Sequence, residues 1–427
     1  MIPEIPALGK TAITFAVVIF AIRRNISLAN AFMAGAVLLA VLFQLSFTGT
    51  AAAFFDCFTD SRTVALCLVV ALILTLSNSL EQSGQLKRLL FAFRGLIKNP
   101  KLNLAVFPAI IGLLPMPGGS IFSAPMVKDI GGRSDLPPGH LSYINYWFRH
   151  IWEYWWPMYP GVILATMLAE IHLARFVAMM LPFTLVVVFI GWVPVEKDRL
   201  PPAAPGAADG KKIGPFLKEI SPILLVVAAG MFLGWIFSRL DQDVAAAKEA
   251  GLIVSLCAGN WLVWRSNRMP PGEVWRIMTH PNVYQMVYMM AAILLFKKIL
   301  EDSGAVAAVC AELISLQIPL VLVWAILPFL VGLLTGITVA FVGSSFPILI
   351  TLTAARGQTE MMMPCVMLAL TCGFAGVLLS PVHLCLLVSN HFFEATLHSV
   401  YRLLWLPCLC LVGCAFGYFT LLIKILG

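Results

Sequence analysis

Long apolar stretches separated by short polar segments dominate the chain. A transmembrane helix needs about 20 apolar residues, and stretches of that kind begin near Ile5, Leu28, Thr63, Leu141, Arg175, Pro222, Gly251, Asn282, Met361 and Leu403. Two further pairs of shorter apolar segments each flank a break rich in Gly, Ser or Pro. The pattern predicts an all-α polytopic membrane protein with roughly ten full transmembrane spans plus two interrupted hairpins.

The sequence repeats itself at an offset of 220 residues. Leu80-Glu81-Gln82-Ser83-Gly84 returns as Leu300-Glu301-Asp302-Ser303-Gly304, and in the same register Pro108 and Gly112-Leu113-Leu114 return as Pro328 and Gly332-Leu333-Leu334. Eight identities in one register are more than hydrophobic composition alone accounts for. We therefore predict two membrane repeats, over residues 1–193 and 216–427, joined by a cytoplasmic, Pro/Gly-rich linker over residues 194–215.

The distribution of lysine and arginine indicates the orientation. If successive spans cross the membrane in opposite directions, 18 of the 28 lysine and arginine residues fall in loops on one side of the membrane and 9 on the other. Arg149 lies inside a span. The richer side is expected to be cytoplasmic. The matching segments then run in opposite directions, so the repeats are inverted. A hairpin at about residues 103–127 would enter from the cytoplasm and one at about 319–350 from outside, with both tips near the midplane.

The paired breaks are candidate binding segments. Backbone groups freed by Pro and Gly inside lipid cost several kcal/mol each unless protein, water or ligand satisfies them. Freed amides at a helix N-terminus suit an anion, and freed carbonyls suit Na⁺. We predict substrate-binding positions at Pro117, Gly118, Gly119, Ser120 and Ser123 in the first repeat and at Thr338, Gly343, Ser344 and Ser345 in the second. The alternative is that these small residues only allow close helix packing.

The segment from Asn145 to Pro157 carries intramembrane charges. Asn145, Arg149 and Glu153 recur every four residues, so a continuous helix would present them on one face. An intramembrane charge is costly and by default functional. We predict that Arg149, with Asn145, binds a substrate carboxylate and that Glu153 or His150 carries a coupled proton. A structural ion pair between Arg149 and Glu153 is the alternative.

Aromatic and histidine residues extend this hypothesis. Trp147, Trp152, Trp155 and Trp156 are expected to be lipid-interface and packing residues. His383 follows Pro381, which matches Pro157 of the first repeat at an offset of 224. His383 is a candidate proton carrier or, equally, a packing histidine.

Composition narrows the function classes. With 60% hydrophobic and 11% charged residues the chain cannot form a soluble core, and its net charge of +7 is spread over short loops, so no nucleic-acid partner is expected. No Gly-x-x-x-x-Gly-Lys-Ser/Thr loop is present to bind nucleotide. The ten cysteines lack metal-type spacing, so we expect no metal site and no cofactor, with Na⁺ only as a candidate coupling ion.

The stretch Gly112 to Val127, together with Asn145 to Glu153, resembles an uncharacterised branch of the ion transporter superfamily related to gluconate permeases. The resemblance implies a secondary active transporter of a small organic anion, a carboxylate of the gluconate kind or similar, coupled to H⁺ or Na⁺ by elevator-type alternating access. It also implies a homodimer. The Ser-Asn-Thr signature of the dicarboxylate branch is absent from both hairpin tips, which leaves either coupling ion open.

We therefore expect a multi-pass protein of a prokaryotic cytoplasmic (inner) membrane, with a small anionic substrate and the lipid bilayer as its partners. The alternatives are a membrane subunit of a larger permease or a channel. A membrane-embedded enzyme is less favoured, because no His-Glu-x-x-His motif or paired nucleophile occurs in the apolar spans.

Overall fold

Helices make up nearly all of the described chain. The computed structural model describes residues 5–24, 26–93, 96–97, 99–116, 118–131, 136–196, 213–240 and 247–426. Within these ranges the regular elements are α-helices and one short 3₁₀-helix, Thr359–Met361, with no β-strand. The predicted all-α class is confirmed.

The first half contains eleven described α-helices. They are α1 (Ala7–Arg23), α2 (Leu28–Leu42), α3 (Phe47–Thr59), α4 (Ser61–Gln82), α5 (Gln85–Phe93), α6 (Pro100–Gly112), α7 (Ser120–Gly131), α8 (Pro138–Arg149), α9 (Pro160–Leu168), α10 (Leu173–Met180) and α11 (Phe183–Glu196). Side chains of Ser27, Ser46, Asp60 and Asn99 cap the N-termini of α2, α3, α4 and α6 by accepting backbone amide hydrogens.

The second half contains ten described α-helices. They are α12 (Ile213–Leu240), α13 (Ala247–Ser266), α14 (Pro271–Met278), α15 (Pro281–Asp302), α16 (Ala305–Ser315), α17 (Leu320–Thr335), α18 (Thr338–Ala355), α19 (Met362–Leu378), α20 (Leu384–Phe393) and α21 (Leu397–Leu426). Residues 197–212, which include most of the predicted linker, lie outside the described ranges. The domain boundaries stay a prediction.

The two halves repeat one order of elements. α4 and α15 are both 22 residues long, and each is followed by a glycine with a φ of +72°, Gly84 and Gly304. A short helix then leads into a hairpin, α6 with α7 in the first half and α17 with α18 in the second. A helix that breaks and resumes follows in both, α8 to α9 and α19 to α20.

Close helix crossings repeat as well. A Cβ on Gly112 of α6 would overlap the backbone carbonyl of Arg149, and one on Gly332 of α17 would overlap that of Gly373 on α19. The members of each pair match at the offsets that the sequence repeat gave, 220 for the glycines and 224 for their partners. The duplicated, broken hairpins predicted from the sequence are therefore present.

Six described helices are long and apolar enough to cross a membrane, or seven if the bent pair α9 and α10, which meet at 117°, is one span. The chain is thus a multi-pass membrane protein. Shorter apolar helices supplement these spans, among them α2, α6, α17 and α20. The count of roughly ten full spans stays a prediction.

The structure corrects one prediction about the charged segment. The helix expected to run from Asn145 to Pro157 ends at Arg149, and residues 150–159 form turns. The ring of His150 lies 2.6 Å from the carbonyl oxygen of Tyr146, its normal helical partner, while the backbone N–H of His150 donates to Trp147 instead. Because the side chain takes the i−4 carbonyl, the last turn tightens and the helix stops.

Candidate functional site

The hairpin tips and the helix breaks of both halves meet at one cavity. Its volume is about 220 Å³. Its lining comes from the α6–α7 tip, the α17–α18 tip, both breaks, and apolar side chains of α4 and α15. Of the predicted site residues, those in the lining are Gly118, Arg149, Glu153, Thr338 and His383.

Arg149 is a buried cation at the C-terminal end of α8, with a residue exposure of 2%. Its Nη2 donates to the carbonyl oxygen of Met116 in the first hairpin tip at 2.7 Å. Its Nε has no hydrogen-bond partner among the described residues. No carboxylate in the described part of the chain forms an ion pair with it, so the alternative of a direct Arg149–Glu153 pair does not occur.

Glu153 links the two halves instead. Its Oε1 accepts a hydrogen bond from the Thr338 hydroxyl at 2.8 Å, and its Oε2 lies 3.7 Å from Nε2 of His150. Thr338 is the first residue of α18, so this contact joins the first break to the second hairpin. Although the helix ends before Glu153, the turn returns its carboxylate to the cavity that Arg149 lines.

His150 and His383 also meet across the two halves. Their Nε2 atoms are 3.2 Å apart, and Nδ1 of His383 lies 2.6 Å from the carbonyl oxygen of Gly336. Gly336 ends α17 with a φ of +68°, a left-handed conformation that glycine adopts without strain. The two candidate proton carriers thus form one buried pair rather than two separate sites.

Ser120, Ser123 and Asn145 form a buried polar network beside the cavity. Ser123 donates to Oδ1 of Asn145 at 2.6 Å, and Nδ2 of Asn145 donates to the carbonyl oxygen of Ser120 at 3.0 Å and to Ser389 at 3.1 Å. Ser120 donates to the carbonyl oxygen of Cys385 at 3.0 Å. These bonds hold α7, α8 and α20 together, and none of the three residues lines the cavity.

The small residues within α18 face neighbouring helices. Ser344 and Ser345 donate to carbonyl oxygens of their own helix, Ala340 and Phe341. A Cβ on Gly343 would overlap Ile293 of α15. Among the lining residues the second tip supplies Gly336, Ile337, Thr338 and Val339. The structure thus places Gly343, Ser344 and Ser345 in the helix contacts that the packing alternative describes.

The four tryptophans expected to be lipid-interface and packing residues pack inside the protein: Trp147, Trp155 and Trp156 are buried and Trp152 is half-buried. Trp152 and Trp156 donate to the carbonyl oxygens of Ala109 and Leu113 at 2.7 and 3.1 Å, and the Tyr159 hydroxyl donates to that of Gly112 at 2.7 Å. Carbonyls at a helix C-terminus lack intrahelical partners. The first break therefore caps the end of α6, which stabilises a helix that stops inside the membrane.

Sequence reasoning did not single out Tyr159 or Cys385, which also line the cavity. Neither carries a recognisable spacing motif. Tyr159 comes from the first break, and Cys385 joins it only because the second repeat folds against the first. Tyr159 and His383 are 224 residues apart, which is the offset between the two breaks, so the repeat register was the available signal. Pro117 lies outside the described residues.

The family of the chain follows from comparison with known proteins. Residues 8–423 match the family described as "Protein of unknown function (DUF401)". The chain belongs to this family. The expectation of a domain-of-unknown-function family is confirmed, while membership of the ion transporter superfamily and the relation to gluconate permeases stay predictions. A search of curated proteins gave no match.

A solved structure shares the fold of this DUF401 member. The chain is similar to the crystal structure of the YdaH transporter of Alcanivorax borkumensis, whose topology is described as unusual. The TM-score is 0.64 with 16% sequence identity, over 89% of this chain and 90% of the other. At this identity the likeness establishes the fold.

Proposed function

We propose that this protein is a secondary active transporter that binds a small organic anion in the cavity between the two hairpin tips. The observation that carries the proposal is the guanidinium of Arg149, which is buried, lines the cavity and has no carboxylate partner among the described residues. A buried charge is stable only when it is paired and hydrogen bonded. A carboxylate entering the cavity supplies that partner, and the planar guanidinium can bind it through two parallel hydrogen bonds.

The cavity indicates the size and character of the anion. At about 220 Å³ it has room for a small organic anion. Apart from Arg149, Glu153, Tyr159, Thr338 and His383, its side chains are mainly aliphatic, Met or Pro. We infer a short-chain carboxylate whose body contacts apolar side chains, in preference to a polyhydroxylated acid such as gluconate.

The shape of the fold supports alternating access. Broken helices and hairpins meeting at one site in duplicated halves are typical of secondary transporters, and the similarity in fold to a protein named as a transporter supports the same proposal. Coupling to H⁺ or Na⁺, an elevator movement of the hairpin body, and a homodimer in a prokaryotic inner membrane complete the proposal.

The test is a ligand screen followed by reconstitution. The purified full-length chain is heated with a panel of short-chain mono- and dicarboxylates, sugar acids and matched neutral amides, and the unfolding temperature is recorded. Binding of an anion raises this temperature by mass action. A carboxylate that stabilises the parent but not Arg149→Met, and whose amide is inactive, supports the proposal.

Uptake of that carboxylate into proteoliposomes then identifies the coupling ion. An imposed pH gradient and an imposed Na⁺ gradient are compared at equal membrane potential. Saturable uptake driven by one gradient is the expected result. Uptake that does not saturate would instead indicate a channel, and the absence of uptake by the chain alone would indicate that a partner subunit is required.

A further inference from the structure

Hydrogen-bond partners fix the tautomers of the two facing histidines. Nδ1 of His150 lies 2.6 Å from the carbonyl oxygen of Tyr146, and Nδ1 of His383 lies 2.6 Å from that of Gly336. A carbonyl oxygen only accepts hydrogen bonds, so each Nδ1 must carry the hydrogen. In the neutral rings each Nε2 atom then carries a lone pair and no hydrogen. The two Nε2 atoms face each other at 3.2 Å.

Two facing lone pairs repel each other unless a hydrogen-bond donor, a shared proton or a metal ion lies between or beside them. His150 and His383 have exposures of 1% and 8%, so both rings are largely shielded from bulk water. Two nitrogen ligands at about 2.05 Å from a tetrahedral zinc ion lie about 3.3 Å apart. The observed separation matches this distance, although a shared proton would also satisfy the pair.

A third side chain distinguishes a metal from a proton. One ligand atom each from His150, His383 and Cys385 lies within 4.8 Å of the other two, and all three residues are buried. Imidazole nitrogen and thiolate sulfur are both common zinc ligands, and catalytic zinc sites combine three protein ligands with one position left for another group. A zinc-bound histidine usually donates its second ring N–H to a carbonyl or carboxylate, as both histidines do here.

We propose that His150, His383 and Cys385 bind one zinc-class metal ion whose fourth position faces the cavity. Glu153 is placed to occupy that position, since its Oε2 lies 3.7 Å from Nε2 of His150. His383, Cys385 and Glu153 all line the cavity, which provides the path of entry. The ligands come from both repeats, so the ion would join the first helix break to the second.

The charges of the proposed metal site balance without Arg149, so metal binding and binding of the organic anion do not depend on each other. A divalent ion is neutralised by the Cys385 thiolate and the Glu153 carboxylate, which leaves the positive charge of Arg149 uncompensated. The metal site can therefore be present or absent whether or not the cavity binds an organic anion.

The experiment measures metal binding directly. The purified full-length chain is stripped with a chelator and titrated with Zn²⁺ against a chromogenic indicator, and then with Co²⁺ while the absorption spectrum is recorded. We expect one Zn²⁺ per chain and, with Co²⁺, a near-ultraviolet thiolate band. His383→Gln and Cys385→Ser should each weaken Zn²⁺ binding by roughly tenfold or more, and Cys385→Ser should abolish the thiolate band.

Matched controls separate a site from general thiol or imidazole binding. Cys372→Ser on α19 removes another buried cysteine, and His391→Gln on α20 removes an exposed histidine. Neither should change the stoichiometry or the spectrum. Parental Zn²⁺ binding in the Cys385→Ser and His383→Gln variants would overturn the proposal, as would a parent that binds no Zn²⁺, since a pair sharing only a proton gives that result.

A second measurement covers variants that fail to fold. In a chain whose other cysteines are all serine, Zn²⁺ should slow alkylation of Cys385 by a small maleimide. Mg²⁺ at the same concentration should not, because Mg²⁺ prefers oxygen ligands. Equal alkylation rates with Zn²⁺, with Mg²⁺ and without metal would also overturn the proposal.

Discussion

Gly119 lies directly against the guanidinium of Arg149. A Cβ at Gly119 would overlap Nη2 of Arg149 and approach its Cζ and Nε to 3.0 Å. The absence of a side chain in the first hairpin tip is therefore what allows the guanidinium to reach the carbonyl oxygen of Met116 at 2.7 Å. The glycine predicted from the sequence as a substrate contact acts through Arg149 in this arrangement.

Gly119→Ala should displace Arg149 and weaken anion binding with little loss of folded protein. We expect the dissociation constant of the carboxylate identified by the screen to rise by about tenfold or more, which corresponds to about 1.4 kcal/mol. Gly413→Ala on α21 is the matched control, because a Cβ there meets nothing within 4 Å. Unchanged affinity in Gly119→Ala would mean that Arg149 does not hold the anion.

Neither Arg149→Lys nor Arg149→Met should bind the anion. Arg149→Met should nevertheless remain folded. Lysine keeps the charge but lacks the planar fork that grips a carboxylate. Arg149→Met leaves no charge unpaired, because Glu153 accepts from Thr338 rather than from Arg149. The Met116 carbonyl loses the guanidinium but still accepts the backbone N–H of Gly119. We expect the unfolding free energy of Arg149→Met to lie within about 1 kcal/mol of the parent.

A strong destabilisation of Arg149→Met would contradict this account. The double change Arg149→Met with Glu153→Gln provides the control. If the two charges were coupled structurally, the double variant would recover the stability that the single variant loses. If Arg149 is a ligand only, the double variant stays folded and still does not bind the anion.

Much of the fold could be predicted because it depends on local pattern. The apolar stretches predicted the helices, and the sequence repeat that contains Gly84 and Gly304 predicted the duplication. In the structure both glycines take the same left-handed conformation. The helix end at Arg149 could not be predicted, because it depends on the ring of His150 competing for the Tyr146 carbonyl. In the sequence, the first residue that would interrupt a helix after Asn145 is Pro157, so the helix was predicted to continue to that residue.

The candidate site was partly predictable for a related reason. Arg149 and Glu153 drew attention because a charge inside an apolar span is costly. The meeting of His150, His383 and Cys385 could not be read from spacing, since 233 residues separate the two histidines. Metal-type spacing rules describe ligands on one local element, whereas these ligands come from two repeats that pack together only in the folded chain.

Thr338→Val should loosen the contact between the two halves. The hydroxyl of Thr338 donates to the Glu153 carboxylate at 2.8 Å, and a hydrogen bond to a charged group contributes about 1.5–3 kcal/mol. We expect a lower unfolding temperature in detergent. Thr335→Val is the control, because the Thr335 hydroxyl bonds only to backbone of its own half, donating to the carbonyl oxygen of Val331 and accepting from the N–H of Ile337. Equal effects of the two changes would mean that the contact between halves adds no stability.

Gly112→Ala and Gly332→Ala should destabilise the protein to a similar degree. Each methyl group would overlap a backbone carbonyl, that of Arg149 in one half and of Gly373 in the other, and backbone cannot yield as a flexible side chain can. Overpacking of this kind costs about 1–3 kcal/mol or more. Thermal unfolding of both variants beside Gly413→Ala measures it. A large loss in only one half would indicate that the two crossings are not equivalent.

Opposite sidedness of matching loops is the decisive test of the inverted repeat. Lys87 and Asp302 are exposed and lie within three residues of Gly84 and Gly304, the matching glycines of the two repeats. Each is changed to cysteine in an otherwise cysteine-free chain and treated with a membrane-impermeant maleimide, in intact cells and in inverted vesicles. Because basic residues favour the cytoplasmic side, Lys87→Cys should react only in inverted vesicles and Asp302→Cys only in intact cells. Labelling of both from the same side would mean that the two repeats run in parallel, and the two hairpin tips could then not enter the membrane from opposite faces.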